Sequence, residues 1–171
     1  MKVFLSPQFS GQDQAHGGIR RVWEAQNKYF PEIGIEVVDY PSKADLVACH
    51  ATEYVEHDTV VSHIHGLYWS GYPWSAWAHR ANQRLVEIMK KSKVVTSPSQ
   101  WVANSIRRGM LLDPIVCPHG IDIDEWQPSN RHENYVIWAK TRADPICNPL
   151  DMNMLAEKAP GVQFISTFGK P

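Results

Sequence analysis

Long apolar runs are absent from the sequence. Its 171 residues contain no stretch approaching the roughly 20 apolar residues that a membrane-spanning helix needs, and the run from Val3 to Leu5 is too short for the apolar region of a signal peptide. We therefore expect no transmembrane segment and a cytoplasmic location. Apolar residues still make up 43% of the chain, a share that is typical of folded rather than disordered proteins.

An excess of one charge sign is also absent. Lys and Arg total 17 and Asp and Glu total 18, for a formal net charge of −1, so the composition predicts no nucleic acid and no anionic membrane surface as the main partner. Cysteine is scarce, because Cys49, Cys117 and Cys147 are widely spaced and form no CxxC pair. We interpret them as reduced structural thiols.

Alternating strands and helices are the main pattern that is present. Short β-rich runs are followed by segments with apolar residues at i, i+3 and i+4, the helical period. The predicted strands are Lys2–Leu5, Ile35–Val38, Leu46–Cys49, Thr59–Ile64, Val94–Thr96 and Ile115–Cys117, and the predicted helices are Ile19–Phe30, Ser75–Lys91 and Trp101–Arg108. Near-continuous apolar strands indicate a parallel sheet covered on both faces. The predicted fold class is α/β, with a Rossmann-like parallel sheet and helices on both faces.

The third predicted helix carries signals at both ends. Ser99 precedes it and predicts an N-cap, because a serine hydroxyl accepts a hydrogen bond from a free backbone N–H of the first turn. Gly109 follows Arg108 and is the predicted residue at which the chain leaves the helix in the left-handed conformation.

The sequence from Pro118 to Glu133 predicts a linker. It is polar, contains Gly120 and two prolines, and has no periodicity. Further along, Tyr135–Ala139 and Val162–Ser166 are predicted strands and Leu150–Glu157 is a predicted helix. We therefore predict a Rossmann-like first domain over residues 1–117, a linker over 118–133, and an incomplete second domain, a partial βαβ unit, over 134–171.

A glycine pair lies between the first predicted strand and the first predicted helix. At Gly17 and Gly18, backbone N–H groups and a helix N-terminus can face an anion, and the missing Cβ atoms allow a ligand to approach. The alternative is a tight turn that only packing requires. The surrounding AHGGIR does not match GxGxxG, so the dinucleotide-binding fingerprint is not met.

His63 and His65 lie at the end of the fourth predicted strand and are expected on the same face. Side chains at the carboxyl ends of parallel strands line the ligand crevice of open α/β sheets, and His65, next to Gly66, is the stronger candidate. The alternative is a histidine bonded to a backbone carbonyl. A zinc site from these histidines with His50 and Cys49 fits no ligand-spacing template, so no metal is predicted.

The segment Gly66–Trp77 contains five aromatic side chains. Aromatic rings stack on the C–H faces of sugars and offer a large contact area with few rotatable bonds. Tyr68, Trp69 and Trp74 are therefore candidates for the wall of an acceptor site. Packing in a core or between domains explains the same residues equally well.

Three segments in chain order resemble glycosyltransferase family four. They are GGIRRV at Gly17–Val22, VTSPSQWVANSI at Val95–Ile106 and IVCPHGIDIDEWQP at Ile115–Pro128. In that family a glycine pair follows the first strand, a strand–Ser–helix step ends the N-terminal domain, and a P-x-G-V-D run leads to the second domain. YVIWAKTR, at Tyr135–Arg142, resembles the first strand and phosphate-contacting loop of the family's second domain.

The chain departs from the family pattern at three places. His119 stands where Asn is usual, and Trp126 stands where Phe is usual. After the predicted strand, Lys140 and Arg142 replace the usual Gly-Arg pair. The family's paired glutamates and most of its donor pocket have no counterpart in these 171 residues, so we expect this chain alone to be inactive.

The resemblance implies the N-terminal half of a GT-B fold and a retaining glycosyltransferase, which moves a sugar from a nucleotide-sugar donor to a carbohydrate or other hydroxyl acceptor. Gly17, Gly18, Lys140 and Arg142 would contact the donor phosphates. His65 would hydrogen-bond the transferred sugar rather than act as the proton-transfer base. By the same resemblance, no metal and no other cofactor are required.

Two other functions remain open at this point. A non-catalytic, truncated glycosyltransferase-like module would bind a glycan or a partner and would expose an apolar patch, which favours self-association or association with a complementing C-terminal half. A nucleotide enzyme of the dehydrogenase or epimerase kind is less favoured, because GxGxxG is missing.

Overall fold

A six-stranded parallel sheet organises most of the chain. The structure is a computed structural model that describes residues 1–10, 17–68, 71–131, 133–139 and 147–166. The strands of this sheet are β1 Lys2–Ser6, β2 Glu36–Val37, β3 Leu46–His50, β4 Val60–His63, β5 Val94–Ser97 and β6 Ile115–Val116. Their order across the sheet is β2-β1-β3-β4-β5-β6. The predicted α/β class with a Rossmann-like parallel sheet is confirmed.

Three helices flank this sheet, α1 Gly18–Tyr29, α2 Ala76–Lys91 and α3 Gln100–Met110. One buried apolar cluster joins α2 and α3 to the sheet and comprises Ile64, Leu85, Met89, Val95, Val102 and Ile106. A second buried cluster belongs mainly to the strands and comprises Phe4, Val38, Val47, Cys49 and Val60. Burying each large apolar side chain contributes about 1.5–3 kcal/mol, so the first cluster fixes α2 and α3 against the sheet.

The ends of α3 show one confirmed prediction and one wrong one. Ser99 Oγ accepts a hydrogen bond from the Val102 N–H at 3.3 Å, so Ser99 is the N-cap. Gly109 lies inside the helix, which continues to Met110. The chain leaves the helix at Leu111, whose φ is 55°. The extra length has a physical reason, because Met110 packs against the apolar cluster beneath α3.

The chain divides into two compact units. Unit 1 comprises Met1–Tyr68 and Ser75–Gly120, and unit 2 comprises Trp69–Trp74 and Ile121–Pro171. In unit 2, β7 Tyr135–Trp138 pairs in parallel with β8 Gln163–Ser166, and α4 Pro149–Lys158 lies between them in the chain. Within the described residues, no helix combines the length and the apolar character that crossing a membrane requires.

Candidate functional site

Polar side chains meet at the carboxyl ends of the central strands of unit 1. His50 and His63 are the last residues of β3 and β4, and the sheet register pairs His50 with His63 and His63 with Thr96 of β5. Residues that are paired across strands share one face of a sheet, so these three side chains form a row. In open α/β sheets this edge carries the ligand crevice.

Thr96 determines which ring nitrogen of His63 carries a proton. Thr96 Oγ1 donates to the Ser62 carbonyl at 3.4 Å, so the same hydroxyl oxygen accepts from His63 Nδ1–H at 2.5 Å. A neutral imidazole has one N–H and one lone pair. The lone pair of His63 therefore lies at Nε2.

Gln26 of α1 orients His50 in a similar way. Gln26 Oε1 lies 2.9 Å from His50 Nε2, so His50 Nε2 is the donor and His50 Nδ1 carries the lone pair. His50 Nδ1 lies 3.2 Å from His65 Nε2. His65 Nε2 is therefore the donor of that contact, and the lone pair of His65 is at Nδ1.

His119 joins the cluster from the segment after β6. Its Nε2 lies 3.0 Å from His63 Nε2, and its ring centroid is 5.3 Å from the centroids of both His63 and His65. The His63 and His65 centroids are 4.9 Å apart. The rings of His63, His65 and His119 thus form a nearly equilateral arrangement, which we call the histidine triangle.

Burial keeps these imidazoles neutral. His50 is fully buried and His63 is 8% exposed. Loss of hydration, with a smaller contribution from neighbouring imidazoles, lowers the pKa of His50 to about 3 and the pKa of both His63 and His65 to about 4. His119 is exposed, and the partial loss of its hydration lowers its pKa as well. At neutral pH all four rings are uncharged.

The histidine triangle has the donor set of a transition-metal site. One ring nitrogen from each of its histidines lies within 4.8 Å of the other two, and neutral imidazole is a common zinc ligand. The combination considered from the sequence was different, because it included Cys49. Cys49 belongs to the apolar cluster of the strands, and adjacent strand residues such as Cys49 and His50 point to opposite faces of a sheet.

Gly17 and Gly18 lie at the start of α1. Gly17 precedes the helix with extended backbone at φ −155°, and Gly18 is its first residue. Among the described residues, no atom lies within 4 Å of a Cβ atom added at either position. Packing among the described residues therefore does not require glycine here, and the open space suits the approach of a ligand.

Tyr68 is the aromatic candidate that lies in unit 1. Its ring packs edge to face on Trp77, with 4.8 Å between centroids. The Asn82 side chain holds its backbone, since it accepts from the Tyr68 N–H at 2.8 Å and donates to the Tyr68 carbonyl at 2.7 Å. These contacts fix the start of the aromatic segment relative to α2.

The other sequence candidates lie elsewhere. Trp74 belongs to unit 2, where its ring is 6.5 Å from that of Tyr72. Trp69, Lys140 and Arg142 fall outside the described residues.

Sequence reasoning missed how three residues contribute to the cluster: Gln26, Thr96 and His119. One signal was present, because β3, β4 and β5 each carry a polar residue at or next to their carboxyl end. His119 is far from His63 and His65 in the chain, so no ligand-spacing template detects the triangle. Its departure from the family's usual Asn was the second signal.

Comparison of the chain with protein-family models, with curated proteins and with solved structures gave no match in any of the three. The geometry of the cluster and the three sequence segments that resemble the glycosyltransferase family are therefore the indications of function.

Proposed function

We propose that the chain is the acceptor-side part of a cytoplasmic, retaining glycosyltransferase of the family-four type, which moves a sugar from a nucleotide-sugar donor to a hydroxyl acceptor. The observation that carries the proposal is the cluster of uncharged imidazoles at the carboxyl edge of the parallel sheet, the edge that ligands of open α/β folds use. His119 of this cluster lies in the segment Ile115–Pro128, which carries part of the family resemblance.

Uncharged imidazoles suit a sugar better than an anion. The N–H of His65 is bonded to His50 and that of His119 to His63, so each of these neutral rings keeps a lone pair at Nδ1, which can accept a hydrogen bond from a sugar hydroxyl. A phosphate would favour a protonated ring, and burial opposes protonation. His65 is half-buried and His119 is exposed, so these two rings are the ones that a ligand reaches.

His65 is assigned hydrogen bonding to the transferred sugar and not proton transfer. A general base works best when its pKa lies near the operating pH, whereas the pKa of His65 is lowered to about 4 by burial and by neighbouring imidazoles. His65 is therefore a weak base at neutral pH. The departing diphosphate accepts the acceptor's proton instead, as the family resemblance implies.

The leaving diphosphate needs stabilisation by cations and backbone N–H groups. We assign this role to Gly17, Gly18, Lys140 and Arg142. The assignment is supported by the lack of any described residue within 4 Å of a Cβ atom placed at either glycine. Arg offers two parallel donors where Lys offers a point charge. The aromatic side chains of the segment Gly66–Trp77, of which Tyr68 is the first, are assigned to contact with the acceptor.

Titration calorimetry against a panel of nucleotide diphosphates and the matching nucleotide sugars tests the donor assignment. We expect one nucleotide class to bind at millimolar or tighter Kd, and Gly18→Val to weaken that binding at least about tenfold, or 1.4 kcal/mol, because the side chain fills the open space. Gly109→Val is the matched control, since Gly109 is also a helical glycine with open space around it. A folded chain that binds none of the panel would contradict the assignment.

The role of His65 has a separate readout. His65→Ala should weaken binding of the nucleotide sugar and leave binding of its nucleotide diphosphate unchanged, because His65 is assigned to the sugar alone. The exposed His79 of α2 provides the control variant His79→Ala, which should change neither. Equal weakening of both ligands by His65→Ala would remove His65 from the sugar site.

Unit 2 favours a second candidate function, self-association through an apolar surface without catalysis. Its β7 and α4 expose large apolar side chains, namely Val136, Ile137, Leu150, Met154 and Leu155. Large exposed apolar patches mark interaction sites, and these side chains are the candidates for one. Sedimentation velocity should then detect a concentration-dependent dimer that Ile137→Lys weakens, and a monomer at every concentration would contradict this candidate.

A further inference from the structure

We propose that the histidine triangle binds one divalent transition-metal ion through a ring nitrogen of each of His63, His65 and His119, with a fourth coordination position open to a ligand oxygen. The family resemblance implies transfer without a metal. The inference therefore goes beyond the proposed function and does not rest on it.

The distances within the triangle suit a single ion. Two nitrogen ligands that each lie about 2.1 Å from a tetrahedral zinc are about 3.4 Å apart. His63 Nε2 and His119 Nε2 are already 3.0 Å apart, and one ring nitrogen of each of the three histidines lies within 4.8 Å of those of the other two. Small rotations of the rings bring the three nitrogens to the spacing that one ion requires.

Hydrogen bonds to the opposite nitrogens fix the orientation of two of the rings. His63 uses Nδ1 to bond Thr96, which leaves its Nε2 lone pair for the ion. His65 uses Nε2 to bond His50, which leaves its Nδ1 lone pair. Metal-binding histidines almost always donate their other N–H in this way, and such partners raise the basicity of the ligand.

His119 provides the access route and the adaptable ligand. Without an ion, its Nε2–H donates to the lone pair of His63 Nε2, at 3.0 Å. Binding of an ion moves that proton to Nδ1, and the exposed position of His119 allows this exchange through water. The ion therefore reaches the triangle from solvent, and its fourth position faces the side from which a ligand arrives.

The donor set also selects the ion. Three imidazoles favour Zn²⁺, Co²⁺, Ni²⁺ or Cu²⁺, whereas Mg²⁺ and Ca²⁺ prefer oxygen ligands. Three protein ligands with one open position are the arrangement of zinc sites that hold a water or a substrate oxygen. The expected ligand of the fourth position is therefore a hydroxyl group.

Titration calorimetry of the untagged, chelator-treated chain with ZnCl₂ tests the proposal directly. We expect one ion per chain at micromolar or tighter Kd and no binding of MgCl₂. In His119→Asn the loss of affinity should exceed the roughly 10–100-fold that the loss of a ligand's hydrogen-bond partner costs. Asn keeps a donor for His63 Nε2 at an exposed position, so the fold should tolerate it, and circular dichroism checks this. His79→Asn is the matched control and should bind as the unsubstituted chain does.

A second readout uses CoCl₂, whose visible absorption reports four-coordinate binding by nitrogen. One equivalent of Co²⁺ should produce the visible absorption band of four-coordinate cobalt in the unsubstituted chain and in His79→Asn. His119→Asn should not show this band. Equal Zn²⁺ affinity in the chain and in His119→Asn would overturn the proposal, because the ion would then lie at other histidines such as His16 or His132. Neither titration contains a nucleotide, so failure of the glycosyltransferase proposal leaves this result interpretable.

Discussion

The hydroxyl of Thr96 orients the His63 ring within the histidine triangle. Thr96→Val removes the acceptor of His63 Nδ1–H while keeping the β-branched shape, so His63 is free to rotate and to change its protonated nitrogen. We expect about 10–100-fold weaker Zn²⁺ binding by titration calorimetry, the usual effect of losing such a partner. Unchanged affinity would mean that packing alone orients His63.

Thr59→Val is the control for this substitution. Thr59 Oγ1 accepts a bond from the exposed Lys93 Nζ, at 3.3 Å, and Thr59 lies just before β4, at the end opposite the histidine triangle. The Zn²⁺ affinity of Thr59→Val should therefore equal that of the unsubstituted chain.

At the residue scale, the sequence predicted only those site residues whose placement depends on their neighbours in the chain. The spacing of His63 and His65 at a strand end predicted a site there, because alternation in a strand depends only on neighbouring residues. The partners Gln26 and His119 depend on which helix and which loop meet that edge, and this is decided by packing between distant segments.

The start of α3 depends on the Ser99 cap. Ser99→Ala removes the acceptor of the Val102 N–H and should lower the free energy of unfolding by about 1 kcal/mol in urea denaturation. Ser105→Ala, an exposed change in the same helix, should be neutral or slightly stabilising because Ala is the better helix former. Equal effects of both substitutions would show that the cap does not contribute.

At the end of α3, the residue at which the helix ends decides whether a substitution raises or lowers the stability of the fold. Leu111 has a φ of 55° and a side chain that is 96% exposed, so Leu111→Gly relieves backbone strain at little cost in packing and should stabilise the fold by roughly 0.5–1 kcal/mol. Gly109→Ala should stabilise by a similar amount, because Gly109 is interior to the helix. If Gly109 were the left-handed residue, Gly109→Ala would instead destabilise the fold. The direction of the change in thermal unfolding temperature distinguishes a helical Gly109 from a left-handed one.

At the element scale, hydrophobic period predicted the type and place of every strand and helix named from the sequence, with ends shifted by a few residues. The predicted strands Ile35–Val38 and Ile115–Cys117 shorten to β2 and β6. Both lie at an edge of the sheet and pair on one side only, so less backbone is held in the ladder. The end of α3 was mispredicted because the packing of Met110 outweighs the helix-ending tendency of Gly109.

For the whole molecule, the neutral histidines make the stability of the metal-free chain depend on pH. Unfolded, each imidazole takes up a proton below a pKa of about 6.5. Folded, His50 and His63 stay neutral down to about pH 3 and 4 because burial lowers the pKa of each. The unfolded state thus binds more protons below pH 6.5, and the free energy of unfolding falls as pH falls, by up to about 1.4 kcal/mol per pH unit for each buried histidine.

Urea denaturation at several pH values between about 7 and 4.5, with a chelator present, measures this dependence. His50→Gln removes one of the buried titrating groups and should lessen the slope, whereas the exposed His79→Asn should not. Stability that stays constant across this range would contradict the buried, neutral state of the histidines.

The sequence indicated a parallel sheet for the whole molecule but not the strand order. Continuous apolar strands reveal burial on both faces, whereas the order β2-β1-β3-β4-β5-β6 depends on the path of each connection. That order makes β3, β4 and β5 neighbours and therefore places His50, His63 and Thr96 in one row, which no single strand predicts.

The contact between Gln26 and His50 has a consequence for communication between distant parts of unit 1. Gln26 belongs to the same helix as Gly18, and its 2.9 Å bond to His50 continues through His65 to the triangle. A ligand that shifted α1 from its glycine end would move Gln26, and through His50 it would displace the His65 ring. Thermodynamic reciprocity requires an ion in the triangle to change the affinity at the glycine end by the same factor.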